Sequence, residues 1–449
     1  MVTSLRQFHV DLYEEHLDEA SFLWEQARAV RSQPDLSWVD AGPFEERLEA
    51  HVDALMVGGD AALEVCRRRA TEGEAGELFV ALCVVCRHGD TATFASLLRS
   101  VDYAQPERAQ AVADALKREL PDAWREHCVR AVAQAQGPLV SVLATVIGYR
   151  RLPQSGAIVD VAGRLTGTPQ RQALWAVGRT RPPEAVRAIR PALRSADASV
   201  RGAAYRAGLR MHDREVMAEL FARPDSPQAM PVEISLCGGR AAVPALVAAA
   251  RQPGAAPEVI DALGLLGDLS AVRPLVELLS VDTLAQAAAE ALHVITGAAL
   301  VTDVQVPDVM SEDEMSEEEL AVFRETGARP GRGDGQPYAT TVRQLSVARS
   351  AWEAWLSANA SRFKPDRRYR VGREYSPRVL LDCLVSDTFP KTWRGLVAEE
   401  LLVRYGIDVP FEPDLPVVAQ QRVLSEIAPA VQASESMVEA GRWYSFGSL

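Results

Sequence analysis

Aromatic residues make up only 6% of this 449-residue chain, and most patterns that announce chemistry are missing. No uninterrupted apolar stretch reaches the roughly 20 residues of a membrane span. The opening MVTSLRQFHV holds no apolar signal core, so a cytoplasmic protein with no membrane partner is expected. Basic charge is not in excess either. The net charge of −13 makes nucleic acid an unlikely partner, because such binding rests on neutralising phosphates. The six cysteines supply one CxxC pair, Cys83 and Cys86. A zinc site needs a second pair or histidines, and a redox pair should open a helix after a strand. This pair lies inside an apolar helical run and reads as core, and buried reduced thiols fit a reducing compartment. The seven histidines form no HExxH. His9 and His16 are two helical turns apart, roughly 10 Å, too far for one ion. The glycine-rich Gly331-Arg-Gly333-Asp-Gly335 lacks the Lys-Ser or Lys-Thr of a phosphate loop, and no GxSxG is present. No catalytic residue, cofactor or metal is expected.

What is present is a period. Gly59, Gly89, Gly148, Gly178, Gly208, Gly238, Gly267 and Gly297 recur about every 30 residues, with one double gap whose missing rung falls near Leu120-Pro121. Most close an apolar run, such as Leu82 to Val85 or Leu263 to Leu266. Glycine after a helix accepts the left-handed conformation that ends it, so Gly178 and Gly208 are expected at positive φ. A fixed period of this size implies stacked helix pairs rather than one globular core. The first-helix valine of each unit recurs as Val159, Val186, Val216, Val243 and Val272.

Four regions follow. Residues 1–54 form an N-terminal helical cap, with Tyr13, Leu17, Ala20, Trp24 and Ala27 at helical spacing, a break at Gln33-Pro34-Asp35 and a second helix from Pro43. This cap holds four basic and twelve acidic residues. Residues 55–298 form the repeat array of about eight helix pairs. Residues 299–340 read as an insert or linker, with an acidic run at 311–319 and a flexible loop at 330–337. Residues 341–449 return to helix from Val342, add a repeat-like pair stopped by Gly406, and end in a short helix and an aromatic tail.

Arginine is concentrated in the array: between 150 and 210 there are twelve arginines against three acidic residues. Arg150, Arg151, Arg179, Arg181, Arg210 and Arg240 fall just after the helix-ending glycines. Equivalent repeat positions line up, so these six are expected to form a basic ridge along one edge, a candidate surface for a protein partner with an acidic face. A second cluster comprises Arg362, Lys364, Arg367, Arg368, Arg370 and Arg373.

Asp197-Ala-Ser-Val200-Arg201-x-x-Ala204 resembles the second-helix signature of HEAT-type repeats, in the short bacterial form also seen in phycobilin-lyase-like proteins. Glu19-x-x-Phe22-Leu23-Trp24, the run Ala291-Leu292 to Ile295-Thr296-Gly297, Trp352-x-x-Trp355 and Arg368-Tyr369-x-x-Gly372 resemble an uncharacterised proteobacterial HEAT-repeat family, some of whose members are encoded near type VI secretion genes. The resemblance implies an all-α, right-handed α-α superhelix with an N-terminal cap and a C-terminal helical segment. It carries no assigned activity and no catalytic residues, and a non-enzymatic protein-binding scaffold or adaptor is expected, with the family context suggesting a secretion-system partner. Alternatives are an immunity or inhibitor protein that caps a toxin through the acidic N-terminal helices, and a HEAT-like enzyme such as a DNA-base glycosylase or a bilin lyase.

Overall fold

The computed structural model describes residues 4–444 apart from 154–155, 308–314, 328–330 and 332–337. The protein is mostly helical, at 70% helix, and the described residues add two small antiparallel sheets. Helices α1 (Leu5–Ser32) and α2 (Gly42–Val57) pack together at the N-terminus. The Ser4 hydroxyl accepts from the Gln7 amide and starts α1, while Leu17, Ala20, Trp24 and Ala27 form its buried stripe.

Seventeen helices follow in two rows. One row holds α3 (Gly59–Glu72), α5 (Thr91–Ser100), α7 (Arg125–Gln134), α9 (Gly156–Arg164), α11 (Val186–Ala192), α13 (Arg214–Ala222), α14 (Ser226–Ala229), α16 (Val243–Ala250) and α18 (Val272–Leu278). The other, the inner row, holds α4 (Ala75–His88), α6 (Pro106–Glu119), α8 (Pro138–Tyr149), α10 (Gly167–Thr180), α12 (Ala198–Arg210), α15 (Pro231–Cys237), α17 (Pro257–Leu266) and α19 (Ala285–Thr296). Each inner helix packs on the next along the whole row. Neither row could bury its apolar side alone, because each helix here is three or four turns at most. The Asp197 carboxylate accepts from the Ser199 and Val200 amides at the start of α12, and Arg201 donates back to the Ser195 and Ala196 carbonyls. The first-helix valines are not equivalent in burial: Val186 is 44% exposed while Ala185 and Ile189 are buried in its place.

Six of the periodic glycines divide into two kinds, while Gly59 opens α3 and Gly238 follows α15 in extended backbone. Gly89, Gly267 and Gly297 end α4, α17 and α19 at φ near +70°, as expected of left-handed caps. Gly178 and Gly208 do not. Both lie inside the last turn of their helices, as does Gly148. A Cβ on Gly178 would stand 2.9 Å from the Cα of Ala207 on the next inner helix, so the residue is small because two backbones meet there. The helices run on past these glycines, and within two residues of their ends the chain turns at Arg151, Arg181 and His212, non-glycine residues at φ of 47°, 48° and 55°.

After α19 the chain forms strand β1 (Val301–Pro307), helix α20 (Glu317–Thr326) and strand β2 (Ala339–Leu345), with β1 and β2 antiparallel over seven residue pairs. Helix therefore does not resume at Val342. It resumes at α21 (Arg349–Asn359), and the stretch expected to be a linker is bounded by a β-ribbon. The acidic run and the glycine-rich loop lie partly outside the described residues. Strands β3 (Tyr369–Arg370) and β4 (Arg373–Glu374) precede α22 (Pro377–Val385), α23 (Arg394–Tyr405) and α24 (Val417–Glu435). Gly406 ends α23 at φ +67°. The final helix is 19 residues long rather than short, and the aromatic tail is described only to Tyr444.

Candidate protein-binding face

The six ridge arginines come to the ends of the inner helices, but they do not stand free. The chain returns across the inner row between residues 393 and 417, here called the strap. Trp393 packs against the Gly264 backbone of α17 and its indole N–H donates to Glu290 of α19. Arg404 donates to the Ser235 and Gly238 carbonyls at the end of α15. The Glu399 carboxylate accepts from Arg210 at 2.7 Å and lies 3.4 Å from Arg179. Asp408 takes Arg151 at 2.7 Å and Arg181 as well. Glu412 takes both branches of Arg179, at 2.6 and 3.0 Å. Asp414 takes Lys117 of α6 at 2.8 Å, and the Val417 amide donates to Glu45 of α2. The strap thus runs from the last inner helices back to the N-terminal pair.

Helix ends explain why arginine serves there. The last carbonyls of a helix lack amide partners and carry the negative end of its dipole. Arg150 donates to the Lys117, Arg118 and Leu120 carbonyls at the end of α6, and Arg210 to the Gly178 carbonyl of α10. Arg210 then offers the rest of its guanidinium to Glu399 of the strap. Arg151, Arg181 and His212 hold the left-handed backbone where glycine would be relaxed, at a cost of about 1 kcal/mol each, and all three grip the strap: the two arginines at Asp408, the histidine at the Leu402 carbonyl. Burial opposes ionisation of Glu399, yet Arg210, Arg179 and Arg206 around it hold its carboxyl at about 2. Arg150 and Arg240 are the exceptions among the six: Arg150 is spent on the carbonyls of α6, and Arg240, half exposed, pairs with the buried Asp268 at 3.0 Å, away from the strap. The expectation of a free basic edge is corrected accordingly: Arg179 and Arg210 are buried or nearly so, and reversing their charge would attack the fold itself.

The second arginine cluster is equally engaged. Glu400, fully buried, accepts from Arg368, Arg370 and the Tyr375 hydroxyl at 2.7–2.9 Å. Arg368 and Arg370 also donate to the Gly264, Leu265 and Leu266 carbonyls that end α17. Burial, with Arg404 close by, brings Arg368 down to about 10, so it remains a cation at neutral pH. Lys364, Arg367 and Arg373 pair with Glu374, Glu439 and Asp382, and Arg362 lies over the Trp355 ring.

Part of the acidic charge of the N-terminal helices is neutralised in the same way. Glu14 and Asp18 take Arg68 and Arg69 of α3, Glu49 and Asp53 take Arg87 of α4, and Glu45 takes Arg31. Trp38 donates to the Ser386 carbonyl and stacks with Arg394 at 4.0 Å, which ties the cap to the C-terminal helices. Cys83 and Cys86 are buried in α4, and burial pushes the Cys86 thiol up to about 12, so both stay protonated. His16 meets His51 of α2, with their Nδ1 atoms 3.0 Å apart. Among the described residues no group of three or more His, Cys, Asp or Glu is placed to hold a metal ion, and no helix is long and apolar enough to cross a membrane.

The strap carboxylates were the residues sequence reasoning missed. A signal existed: residues 399–414 hold Glu399, Glu400, Asp408, Glu412 and Asp414 against Arg404 alone. Nothing local tied that acidic stretch to arginines some 200 positions earlier. No protein-family model matches the chain, and neither does a curated protein or a solved structure.

Proposed function

We propose that this protein is a non-enzymatic protein-binding scaffold, a HEAT-type α-α superhelix that its own C-terminal strap closes into a rigid frame. The observation that carries this reading is the row of helix-end arginines holding an acidic segment. Equivalent repeat positions gripping successive carboxylates of one acidic segment is how a repeat array recognises another protein. Here that mode is used in cis, so the frame is preorganised and the surface that meets a partner lies outside the strap. The resemblance to proteins encoded near type VI secretion genes makes components of such a system the first partners to try, in a cytoplasmic setting. The toxin-inhibitor alternative would use the acidic N-terminal helices, of whose carboxylates Glu14, Asp18, Glu49 and Asp53 are already paired with array arginines.

The test is capture with the tagged full chain, followed by reconstitution from purified components. A reproducible partner that binds the purified chain stoichiometrically, and whose cross-links map to defined surface residues, is the expected result. The reading fails if no captured protein binds once purified.

A further inference from the structure

We propose that the arm formed by β1, α20 and β2 is the docking element of this scaffold, and that it takes the basic surface of a partner protein. The proposal rests on the scaffold reading and says where and with what chemistry the partner binds.

The arm is set apart from the body by its own geometry. Its base is pinned where the Ser346 amide donates to the Leu300 carbonyl at 2.7 Å, next to the Val301–Leu345 pair that opens the ribbon. Beyond that base no residue of β1, β2 or α20 is buried, and Met315 is the one buried side chain among the arm's other described residues. Val301, Val306, Val322 and Tyr338 are 40–53% exposed. A two-stranded ribbon is marginal alone in water, and apolar side chains displayed along one mark a contact surface.

Charge selects the occupant. The described arm residues include Asp303, Glu317, Glu318, Glu319 and Glu325 against Arg324 and Arg343. Glu319 is used locally, accepting from the Ser316 amide in a capping box. Glu317, Glu318 and Glu325 make no ion pair among the described residues. At the strap the opposite charges have met, the arginine row facing Glu399, Asp408 and Glu412, and part of the acidic cap, Glu14, Asp18 and Asp53, faces Arg68, Arg69 and Arg87. The arm therefore keeps uncompensated negative charge on a chain of net charge −13. A second copy would bring like charge against like, and nucleic acid would be repelled. A protein surface that interleaves cations with apolar side chains satisfies both the carboxylates and the exposed valines.

The pinned base allows a clean test. Joining Leu300 to Ser346 through a short glycine linker removes the arm and leaves the anchoring hydrogen-bonded pair to hold the ends. A second variant, Glu317→Gln/Glu318→Gln/Glu325→Gln, keeps the arm and the cap of α20 but not its free charge. The probe is a peptide of alternating lysine and valine, with a glutamate–valine peptide as control, read by fluorescence anisotropy alongside capture of the partner found with the full chain. The lysine peptide should bind the full chain, lose about tenfold in affinity in either variant, and weaken steeply from low to physiological salt. The partner should be lost with the arm. A peptide and partner that bind the armless chain as well as the intact one overturn the arm and leave the scaffold reading standing. A full chain that captures no partner overturns both. Self-association abolished by removing the arm would make the occupant a second copy and overturn the basic-partner assignment.

Discussion

The strap seam and the arm are both dense in charge, yet they differ in what the charge faces. At the seam every strap carboxylate meets a guanidinium or ammonium within the same chain: Glu399 with Arg210, Asp408 with Arg151 and Arg181, Glu412 with Arg179, Asp414 with Lys117. On the arm Glu317, Glu318 and Glu325 face water. A run of like charge in a sequence therefore does not announce a binding surface. It announces a demand for counter-charge, and only the fold shows whether the chain supplies it.

The largest break in this comparison comes from emptying the seam's buried anion. Glu400→Ala leaves Arg368 and Arg370 buried with no carboxylate, and should destabilise the protein by about 3–5 kcal/mol in a urea melt. A loss under about 1 kcal/mol would mean the helix-end carbonyls alone satisfy both guanidiniums.

Acid should open the same seam without mutation. Glu399 has its pKa depressed in the folded protein from 4.5 to about 2. A depressed carboxyl contributes stability that is fully present above its unfolded pKa and lost as pH falls through the folded one. The window is thus from about 4.5 down to about 2, with a contribution on the order of 3 kcal/mol. Glu399→Gln should flatten the pH dependence of the melting temperature across that window. An unchanged slope would show that Glu399 is not held by Arg210 and Arg179 in solution.

The glycines sharpen the contrast between packing and local backbone. Gly178→Ala puts a Cβ against the Ala207 backbone, and should cost about 1–3 kcal/mol because two helices must move apart. Gly89→Ala meets nothing within 4 Å and should cost only about 1 kcal/mol, from strain at φ +72°. Equal costs measured by thermal melts would remove the distinction between close-approach and cap glycines.

The smallest effect belongs to the arm. Glu317→Gln/Glu318→Gln/Glu325→Gln should change stability by less than about 0.5 kcal/mol, since exposed unpaired charges contribute little to folding. A larger change in the melting temperature would place those carboxylates in the fold rather than at its surface.

Much of this architecture can be traced from the chain itself. The stripe Leu17, Ala20, Trp24, Ala27, the break at Gln33-Pro34 and the restart near Pro43 set the first two helices, because apolar spacing and turn chemistry act within a few residues. The 30-residue period sets the stacked helices for the same reason. Other features had no local signal. Gly178 and Gly89 both follow apolar runs, so their different roles become visible only when α12 is seen against α10. Strands β1 and β2 lie more than 30 residues apart, and neither alternates strongly enough to reveal its partner.

The sequence by itself determined where helices form, how often they repeat and where charge of each sign accumulates. Those properties depend on neighbours in the chain. Tertiary structure alone decided which charges meet. Arg179 and Glu412 are 233 residues apart, and their pairing follows from the strap crossing the ends of the inner helices, where carbonyl dipoles had already gathered arginine. Coulomb attraction acts over ångströms in space and leaves no period along the chain, so the strap that fills the arginine face, and the arm left facing water, appear only once the chain is folded.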